Sequence, residues 1–320
     1  MKKGWGIAAL AVWCLLFLRC ETTEKSMIRA LYLEQQAAEW SAALVYQAPD
    51  AAADAAEASG ALRLAAASGQ SLEQALAAAE RQLPCQADYR LCDYLLFPQQ
   101  ASSAQLAAYE QLVQRRQCGR TAAGMVCTDF AFRELCSASE ENEAFPDELL
   151  DQCKQCAALQ PCLYEQAEPT VLPLLQLEEN KPFLADTGVL RAGETVRLLD
   201  AAQTEMVFLL TGKAGQRSFW LDGQQVQIRR CSVSAALQNK VVLLRLDCQK
   251  AYGMPQPTEA QCRQLQTLCT QTVQALWEQG VDLLHLQQTA QLHYGGEQAA
   301  FVPTKNVCPQ LRADVQFLLF

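Results

Sequence analysis

The stretch from Glu168 to Gly212 places the strongest constraint on the fold, because it interrupts the chain and then starts a new run of structure. Pro169 and Pro173 bias the residues before them away from helix, which predicts a linker. Gly188–Leu190 and Thr195–Leu199 are predicted to be two strands joined by a turn at Ala192–Gly193. One or two helical turns are predicted to follow at Thr204–Leu210. We interpret the stretch as the entrance to a second domain.

Length and composition indicate a globular protein that does not bind nucleic acid. A chain of 320 residues can hold two ordinary domains, and half of its residues are hydrophobic while 19% are charged. The net charge of −9 argues against binding to a phosphate backbone, which needs a concentrated basic surface. The basic residues are also scattered, with Arg115–Arg116 and Arg229–Arg230 the longest runs outside the N-terminus.

The N-terminus has the pattern of a secretory signal peptide over residues 1–19. Two lysines precede an apolar run from Trp5 to Leu18, and polar residues follow. The run is shorter than the roughly 18 to 20 residues of a membrane-spanning helix. We therefore predict an exported protein.

Cys20 stands where a lipoprotein signal places its lipidated cysteine, and residues 20–25 would form the tether. Thioether attachment of diacylglycerol there would leave two or three acyl chains, enough for stable anchoring. Arg19 precedes it, whereas a lipoprotein signal prefers a small residue at that position. The alternative is an uncleaved signal anchor in which Cys20 is an ordinary cysteine.

Strands and helices alternate between residues 26 and 177, which predicts a mixed sheet with helices packed on it, as one domain or two subdomains. The predicted strands are Ser26–Leu33, Glu39–Tyr46, Leu62–Ala67, Tyr89–Phe97 and Ala122–Cys127, and the predicted helices begin at Ser71, Ser103, Asp129 and Asp147. The first hairpin turn is predicted at Gln35–Gln36, and Thr128 is predicted to cap the helix at Asp129.

Ser71 gives the sharpest local signal in this half. Ser71 and Gln74 match a capping box, and apolar residues then recur on one helical face. A Gly-x-Ser sequence could also indicate a hydrolase nucleophile, but that motif needs a second glycine where this chain has Glu73. We predict a helix cap.

Residues 181–320 predict a second domain in which a sheet packs against one long helix. Asp222–Gly223 is a strong type I′ hairpin signal, and Thr258 with Gln261 forms a second capping box. The apolar stripe of the helix is predicted at Cys262, Leu265, Cys269, Val273, Leu276 and Trp277, and the last strand at Arg312–Phe320. The predicted fold class is α+β and multi-domain, with mixed sheets flanked by helices and a mostly antiparallel C-terminal sheet packed against a long helix.

Cysteine and histidine spacing does not predict a metal site. Cys153, Cys156 and Cys162 lack a fourth ligand nearby, and His285 and His293 are eight positions apart. A lone histidine in an apolar segment is more often a satisfied core residue than a ligand, so that is the role we expect for both histidines.

Most cysteines are predicted to be free. The fifteen include Cys14 and Cys20 in the leader, which leaves an odd number for the folded part. A disulfide framework is the alternative in an exported chain. Cys248, Cys262 and Cys269 occupy apolar positions, where free cysteine acts as a small buried hydrophobe.

The order of these signals resembles the Ger(x)C family, the spore-germination lipoproteins that form the C subunits of nutrient germinant receptors. The resemblance lies in a Leu-Pro-Leu linker, a Gly-Val-Leu strand and a second strand ending in Leu198–Leu199, then Thr204–Glu205 before Gly212. Gly69 to Ala75 is similar to the family's Gly-x-Ser-x-x-x-Ala helix entry. Sheet, long helix and terminal strand complete the likeness, over about residues 20 to 320.

The resemblance implies a non-catalytic subunit without cofactor or metal, anchored through Cys20 to the outer face of the inner spore membrane. Its expected partners are that membrane and polytopic A and B subunits, and its role is in germination in response to nutrients. The germinant, if one is bound, is not implied.

Two other functions stay open. An exported solute-binding lipoprotein would need a ligand cleft between its domains. An exported enzyme is a weaker alternative, because the chain shows no phosphate loop, nucleophile elbow or metal-ligand cluster in its sequence. Glu140, Glu141 and Glu143 lie in a polar stretch that is predicted to be a solvated loop.

Overall fold

The predicted α+β class is confirmed by the computed structural model, which describes residues 24–49, 61–116, 123–155, 170–192, 195–211, 216–238, 241–286 and 310–318. Over these residues the chain forms two mixed sheets and six α-helices. The predicted leader, including Cys20, lies outside the described residues.

The first part of the chain alternates strands and helices as predicted. Its strands are β1 Lys25–Gln36, β2 Glu39–Gln47, β3 Leu62–Gly69, β4 Gln86–Asp88, β5 Tyr94–Pro98 and β6 Gly124–Thr128. Its helices are α1 Leu72–Glu80, α2 Ser103–Arg116, α3 Phe132–Glu141 and α4 Phe145–Gln155.

The remaining elements are mostly strands. They are β7 Thr170–Glu178, β8 Lys181–Ala192, β9 Thr195–Leu199, β10 Arg217–Leu221, β11 Gln224–Gln238, β12 Val241–Lys250 and β13 Gln310–Phe317, with helices α5 Ala201–Leu210 and α6 Glu259–Glu278.

The first sheet has nine strands in the order β3-β2-β1-β5-β6-β7-β8-β9, and β4 pairs with β1 beside this path. Strands β1, β5, β6 and β7 run parallel to one another, whereas the strands added at both ends of the sheet pair antiparallel. Helices α1 and α2 cover one face, and α3 and α4 pack on the other. The central strands are therefore buried on both faces, as expected for parallel strands.

The predicted linker is wrong, because Pro173 lies inside β7. Pro173 pairs with Gly188 of β8 beside an irregularity in the register, a position at which a strand tolerates proline. The flanking Leu172, Leu174 and Leu175 are all buried, and this burial outweighs the missing backbone donor. Strands β8 and β9 consequently complete the first sheet, so its last strand ends at Leu199 rather than near residue 177. The division of the chain into two domains stays a prediction.

Two boundaries in the first half also differ from prediction. Tyr89–Leu91 forms a 3₁₀ turn because the Asp88 carboxylate accepts from the Arg90 N–H at 3.0 Å, and β5 starts only at Tyr94. The hairpin between β1 and β2 turns at Ala37, which has a φ of 51°, slightly later than predicted.

Thr128 ends β6 and does not cap a helix, so that prediction is wrong. Its hydroxyl donates to the Phe130 carbonyl at 3.0 Å. Helix α3 starts at Phe132, and its first N–H groups are bound by carboxylates instead: Glu134 accepts from Ala131 N at 2.7 Å and the buried Glu34 from Phe132 N at 2.6 Å. A distant strand thus supplies part of the cap.

The cap at Ser71 is confirmed. The Gln74 N–H donates to Ser71 Oγ at 3.2 Å, and the Gln74 side chain accepts from the N–H of Gln70. Leu72, Ala75, Leu76 and Ala79 form the buried face of α1, as the periodicity predicts.

The second sheet has the order β10-β11-β12-β13, with antiparallel pairs except for the parallel β12–β13 pair. Asp222 and Gly223 have φ values of 51° and 70°, which confirms the predicted type I′ turn. Helix α6 starts with the predicted capping box and is followed by Gly280 at φ 82°. Its buried stripe contains Leu265, Cys269, Val273, Leu276 and Trp277, whereas Cys262 is only half-buried.

Strand β8 contributes to two hydrophobic cores. Val189 packs in the core under α1 and α2, and the next residue, Leu190, packs in the core between the second sheet, α5 and α6. Successive side chains of a strand point to opposite faces, so one strand forms a wall of both cores.

Candidate binding cleft between the two sheets

Helix α5 packs against strands of both sheets. Asp200 caps it by accepting from the N–H of Gln203 at 2.8 Å. The buried Thr204 accepts from the N–H of Gly188 at 2.8 Å. A β-carbon at Gly188 would lie 2.8 Å from Thr204 Cγ2 and 2.8 Å from Val171 Cγ1. The close approach of α5 to β8 therefore requires glycine.

A cleft of about 780 Å³ opens beside α5. Its volume falls within the range of roughly 300 to 1,000 Å³ that is usual for small-molecule sites. One wall is residues 183–187 of β8 and the other is residues 216–221, which include β10. Helix α5, with Thr204, Glu205 and Phe208, and the end of α4, with Gln152 and Gln155, add to the lining, together with Pro173, Gln225 and Leu268.

Both strands lining the cleft have backbone N–H groups that are bound by side chains. The Leu184 N–H donates to Gln152 Oε1 at 3.1 Å, and the Ser218 N–H donates to Glu205 Oε2 at 3.2 Å. Covered donors blunt a strand edge and make it a poor template for an added strand. The cleft is consequently better suited to a compact molecule than to an extended peptide.

Arg217 brings a partly desolvated positive charge to the cleft. Its side chain is 12% exposed and lies 3.5 Å from Glu205, and its guanidinium lies 4.8 Å from the centre of the Phe208 ring. Burial lowers the pKa of Arg217, and the Glu205 carboxylate opposes part of that shift. The guanidinium still carries its charge at neutral pH.

Exposed aromatic side chains accompany this charge. Trp220 is 76% exposed and Phe183 is 36% exposed, and both line the cleft. Asp186 is exposed on the same wall as Phe183. Aromatic faces together with a few charged groups can bind an organic molecule that has an apolar body and a charged head.

The cleft as a whole has no local signature in the sequence. Its residues come from seven elements, from α4 to α6, that the fold brings together. One signal was present, since Trp220 falls between Phe219 and Leu221, so that a large apolar residue occupies the outward face of a strand.

The histidine prediction is wrong where the structure tests it. His285 is exposed and has a φ of 50°, in the turn that follows α6, and is not a core residue. His293 lies outside the described residues. Within the part of the chain that is described, no group of three or more His, Cys, Asp or Glu side chains could hold a metal ion.

The remaining candidate residues are structural or exposed. Cys153 is a buried thiol that is not in a disulfide, whereas Cys156 and Cys162 lie outside the described residues. Glu140 and Glu141 are exposed at the end of α3 rather than in a loop, and Glu141 accepts from Asn180 Nδ2 at 2.5 Å. Glu143 is exposed in the turn that follows.

Other buried charges hold elements together. Arg191 of β8 donates to the Gln99 carbonyl at 3.0 Å and to the Ala101 carbonyl, and its guanidinium lies 5.7 Å from the centre of the Phe97 ring. These contacts tie β8 to the loop after β5. Each guanidinium–carbonyl bond satisfies a buried charge, which is the condition for keeping an arginine inside.

None of the nine cysteines within the described ranges is in a disulfide. Cys92, Cys127, Cys153, Cys248 and Cys269 are buried, which agrees with their interpretation as small hydrophobes. Burial raises the pKa of the Cys127 and Cys269 thiols to about 12. Such thiols stay protonated and unreactive near neutral pH.

None of the helices in the described residues is both long enough and apolar enough to cross a membrane. The strand order and the helices define an α+β protein of two mixed sheets with a candidate binding cleft between them.

No protein-family model and no curated protein sequence matches the chain. A solved structure, that of the GerBC protein, is similar to it, with 10% sequence identity and a TM-score of 0.44. The match covers 90% of this chain and 96% of the GerBC chain. At this sequence identity and this TM-score, the similarity assigns neither a family nor a function to the chain.

Proposed function

We propose that the chain is a non-catalytic, lipid-anchored subunit of a spore nutrient germinant receptor. The observation that carries the proposal is the order of the elements. A capped helix follows Gly69, a hairpin of β8 and β9 leads into α5, and a second sheet is followed by α6 and β13. This is the order in which the sequence resembles the Ger(x)C family.

The proposed location is the outer face of the inner spore membrane, beside polytopic A and B subunits. The predicted signal peptide and Cys20 support anchoring there. Strand β1 begins at Lys25, so the distance from the predicted acyl chains to the fold is only a few residues. The first sheet would then lie close to the membrane surface.

Metabolic labelling tests the anchor. Cells given a palmitate analogue should label the wild-type chain, and Cys20→Ala should lose the label because it removes the proposed acylation site. Cys14→Ala, which changes the other leader cysteine, is the matched control and should keep it. Undiminished labelling of Cys20→Ala would contradict the anchor.

Deletion of the gene tests the role in germination. Spores without the chain should lose germination in response to nutrients, and the wild-type gene supplied in trans should restore it. The Cys20→Ala gene should restore it poorly, because the subunit would not be held at the membrane. Nutrient germination at the normal rate without the chain would contradict the receptor role.

A second candidate function, an exported solute-binding lipoprotein, is favoured by the cleft beside α5. Trp220 lies at the cleft and is exposed, so its fluorescence should change when a ligand binds. Benzoate and benzylamine, which share an aromatic body and differ in charge, are suitable probes. Solute binding would be supported by a saturable change in fluorescence that Trp220→Phe abolishes and that needs a higher probe concentration in Arg217→Gln. Absence of a saturable change with either probe would count against it for that chemistry.

A further inference from the structure

Two thiols face each other across neighbouring strands of the second sheet. Cys231 of β11 and Cys248 of β12 are direct partners in the antiparallel register. Their sulfur atoms are 3.4 Å apart, and the S–H of Cys248 donates to Sγ of Cys231.

The backbone already has the spacing that a disulfide needs. Directly opposed residues of an antiparallel pair have Cα atoms about 4.5 to 5.5 Å apart. Disulfides span Cα separations of about 4.4 to 6.8 Å, with an S–S bond of about 2.05 Å. Side-chain rotation alone can therefore close the gap between the sulfur atoms.

The two thiols differ in access to solvent. Cys231 is half-buried, whereas Cys248 is fully buried in the core of the second sheet. The hydrogen bond to Cys231, together with burial, raises the pKa of Cys248. An external reagent thus reaches Cys231 first, while Cys248 is held in contact behind it.

We propose that Cys231 and Cys248 form an oxidisable dithiol that closes into a cross-strand disulfide on meeting a small-molecule disulfide. The Cys231 thiolate attacks oxidised glutathione, which forms a mixed disulfide and releases one reduced glutathione. The Cys248 sulfur then attacks Sγ of Cys231, the bond from that sulfur to glutathione breaks, and the leaving glutathione thiolate takes up the Cys248 proton. One oxidised glutathione is reduced for each disulfide formed. The inference does not depend on the proposed function.

Two cysteines of α6 provide internal controls. Cys262 and Cys269 belong to the same helix and are seven residues apart, which separates their Cα atoms by about 10.5 Å along the axis. That distance prevents a disulfide between them.

Trypsin separates the relevant cysteines, which makes the test specific. Cleavage after Arg230, Lys240, Arg245 and Lys250 leaves Cys231 alone in peptide 231–240 and Cys248 alone in peptide 246–250. The reduced full-length chain is incubated with oxidised glutathione, its remaining thiols are alkylated, and the digest is analysed by mass spectrometry. We expect these two peptides to be linked and the Cys262 and Cys269 peptides to be alkylated. A link from Cys231 or Cys248 to any other cysteine instead, or no link, would overturn the proposal.

Single substitutions test the order of attack. Cys248→Ala should leave Cys231 as a stable mixed disulfide with glutathione. Cys231→Ser changes the half-buried position and should leave Cys248 unmodified, while Cys269→Ala should form the wild-type link at the wild-type rate. If Cys248→Ala fails to fold, Cys231→Ser still decides the outcome: modification of Cys248 in that folded variant would overturn the order.

Discussion

At the scale of single residues, the contact between Gly188 and Thr204 joins the first sheet to α5. The backbone N–H of Gly188 is bound by the Thr204 hydroxyl, and the missing side chain leaves space for Thr204 Cγ2 and Val171 Cγ1. The same two residues therefore provide both a hydrogen bond and a close approach at the edge of the candidate cleft.

Gly188→Ala should destabilise the protein by about 1 to 3 kcal/mol, because the added methyl group overlaps two neighbours. Thr204→Ser keeps the hydroxyl and removes Cγ2, so the double variant should lose less stability than the sum of the single variants. Urea denaturation measures these free energies of unfolding. A Gly188→Ala variant within about 0.5 kcal/mol of wild type would contradict the close approach.

Asp88 should make stability sensitive to acid. The pKa of Asp88 is lowered to about 2, mainly by hydrogen bonds from the Arg90 side chain. The hydrogen bond from the Arg90 N–H and the nearby charge of Lys25 lower it further. A carboxyl whose folded-state pKa is depressed stabilises the fold above its ordinary pKa of 3.8 and loses that effect as pH falls towards 2. Since Arg90 is solvent-exposed, we expect a loss on the order of 1 kcal/mol.

Asp88→Asn should accordingly lower the free energy of unfolding at pH 7 and reduce the loss of stability between about pH 4 and pH 2. Asp151→Asn is the matched control, because Asp151 is exposed and pairs only with an exposed Lys154 in the described structure. Urea midpoints measured across that pH range provide the comparison. Equal acid profiles for wild type and Asp88→Asn would refute the assignment.

At the scale of elements, α6 is the helix on which the second core depends. Leu265 is 1% exposed and belongs to the hydrophobic core that α6 shares with the strands of the second sheet. Leu265→Ala should cost on the order of 2 to 5 kcal/mol, since it leaves a cavity. Gln264→Ala changes the exposed preceding residue and should stay within about 0.5 kcal/mol of wild type. Equal denaturation midpoints for the two variants would contradict the prediction that the buried face of α6 stabilises the second core.

Elements specified by neighbouring residues were predictable from the sequence. Ser71 and Thr258 cap helices through residues three positions away, and Asp222–Gly223 sets a turn by its own backbone preference. The predictions that were wrong concern elements whose structure depends on residues far away in the sequence. The strand at Pro173 depends on pairing with Gly188, and the start of α3 depends on Glu34, about a hundred residues earlier.

The candidate cleft could not be predicted for the same reason. Gln152, Phe183, Glu205 and Arg217 belong to four different elements, and nothing in their local sequence relates one to another. Their proximity follows from the addition of β8 and β9 to the first sheet, which the linker interpretation excluded. A site between elements becomes visible only after the strand order is known.

At the scale of the whole molecule, the two sheets should unfold together. Val189 and Leu190 of β8 lie in different cores, and α5 packs against both sheets, so neither core is complete without the other part of the chain. We expect one cooperative transition rather than two.

Tryptophan fluorescence can test this cooperativity. Trp40 packs on the core of the first sheet and Trp277 is buried in that of the second. Variants that retain only one of these two tryptophans should report the same urea midpoint, with circular dichroism as the global reference. Two separated midpoints would show that the cores unfold independently.

The double membership of β8 also has a mechanical meaning. A chain held near Lys25 would take up tension at β1, in the middle of the first sheet, and the hydrogen-bonded strands from β1 to β8 form an unbroken path to the second core. The load would cross between the two cores through β7 and β8, each of which supplies residues to both, rather than through a flexible joint. A displacement at either end would therefore be felt at the other as a rigid movement, and the cleft beside α5 is where such a movement would change the spacing of the walls.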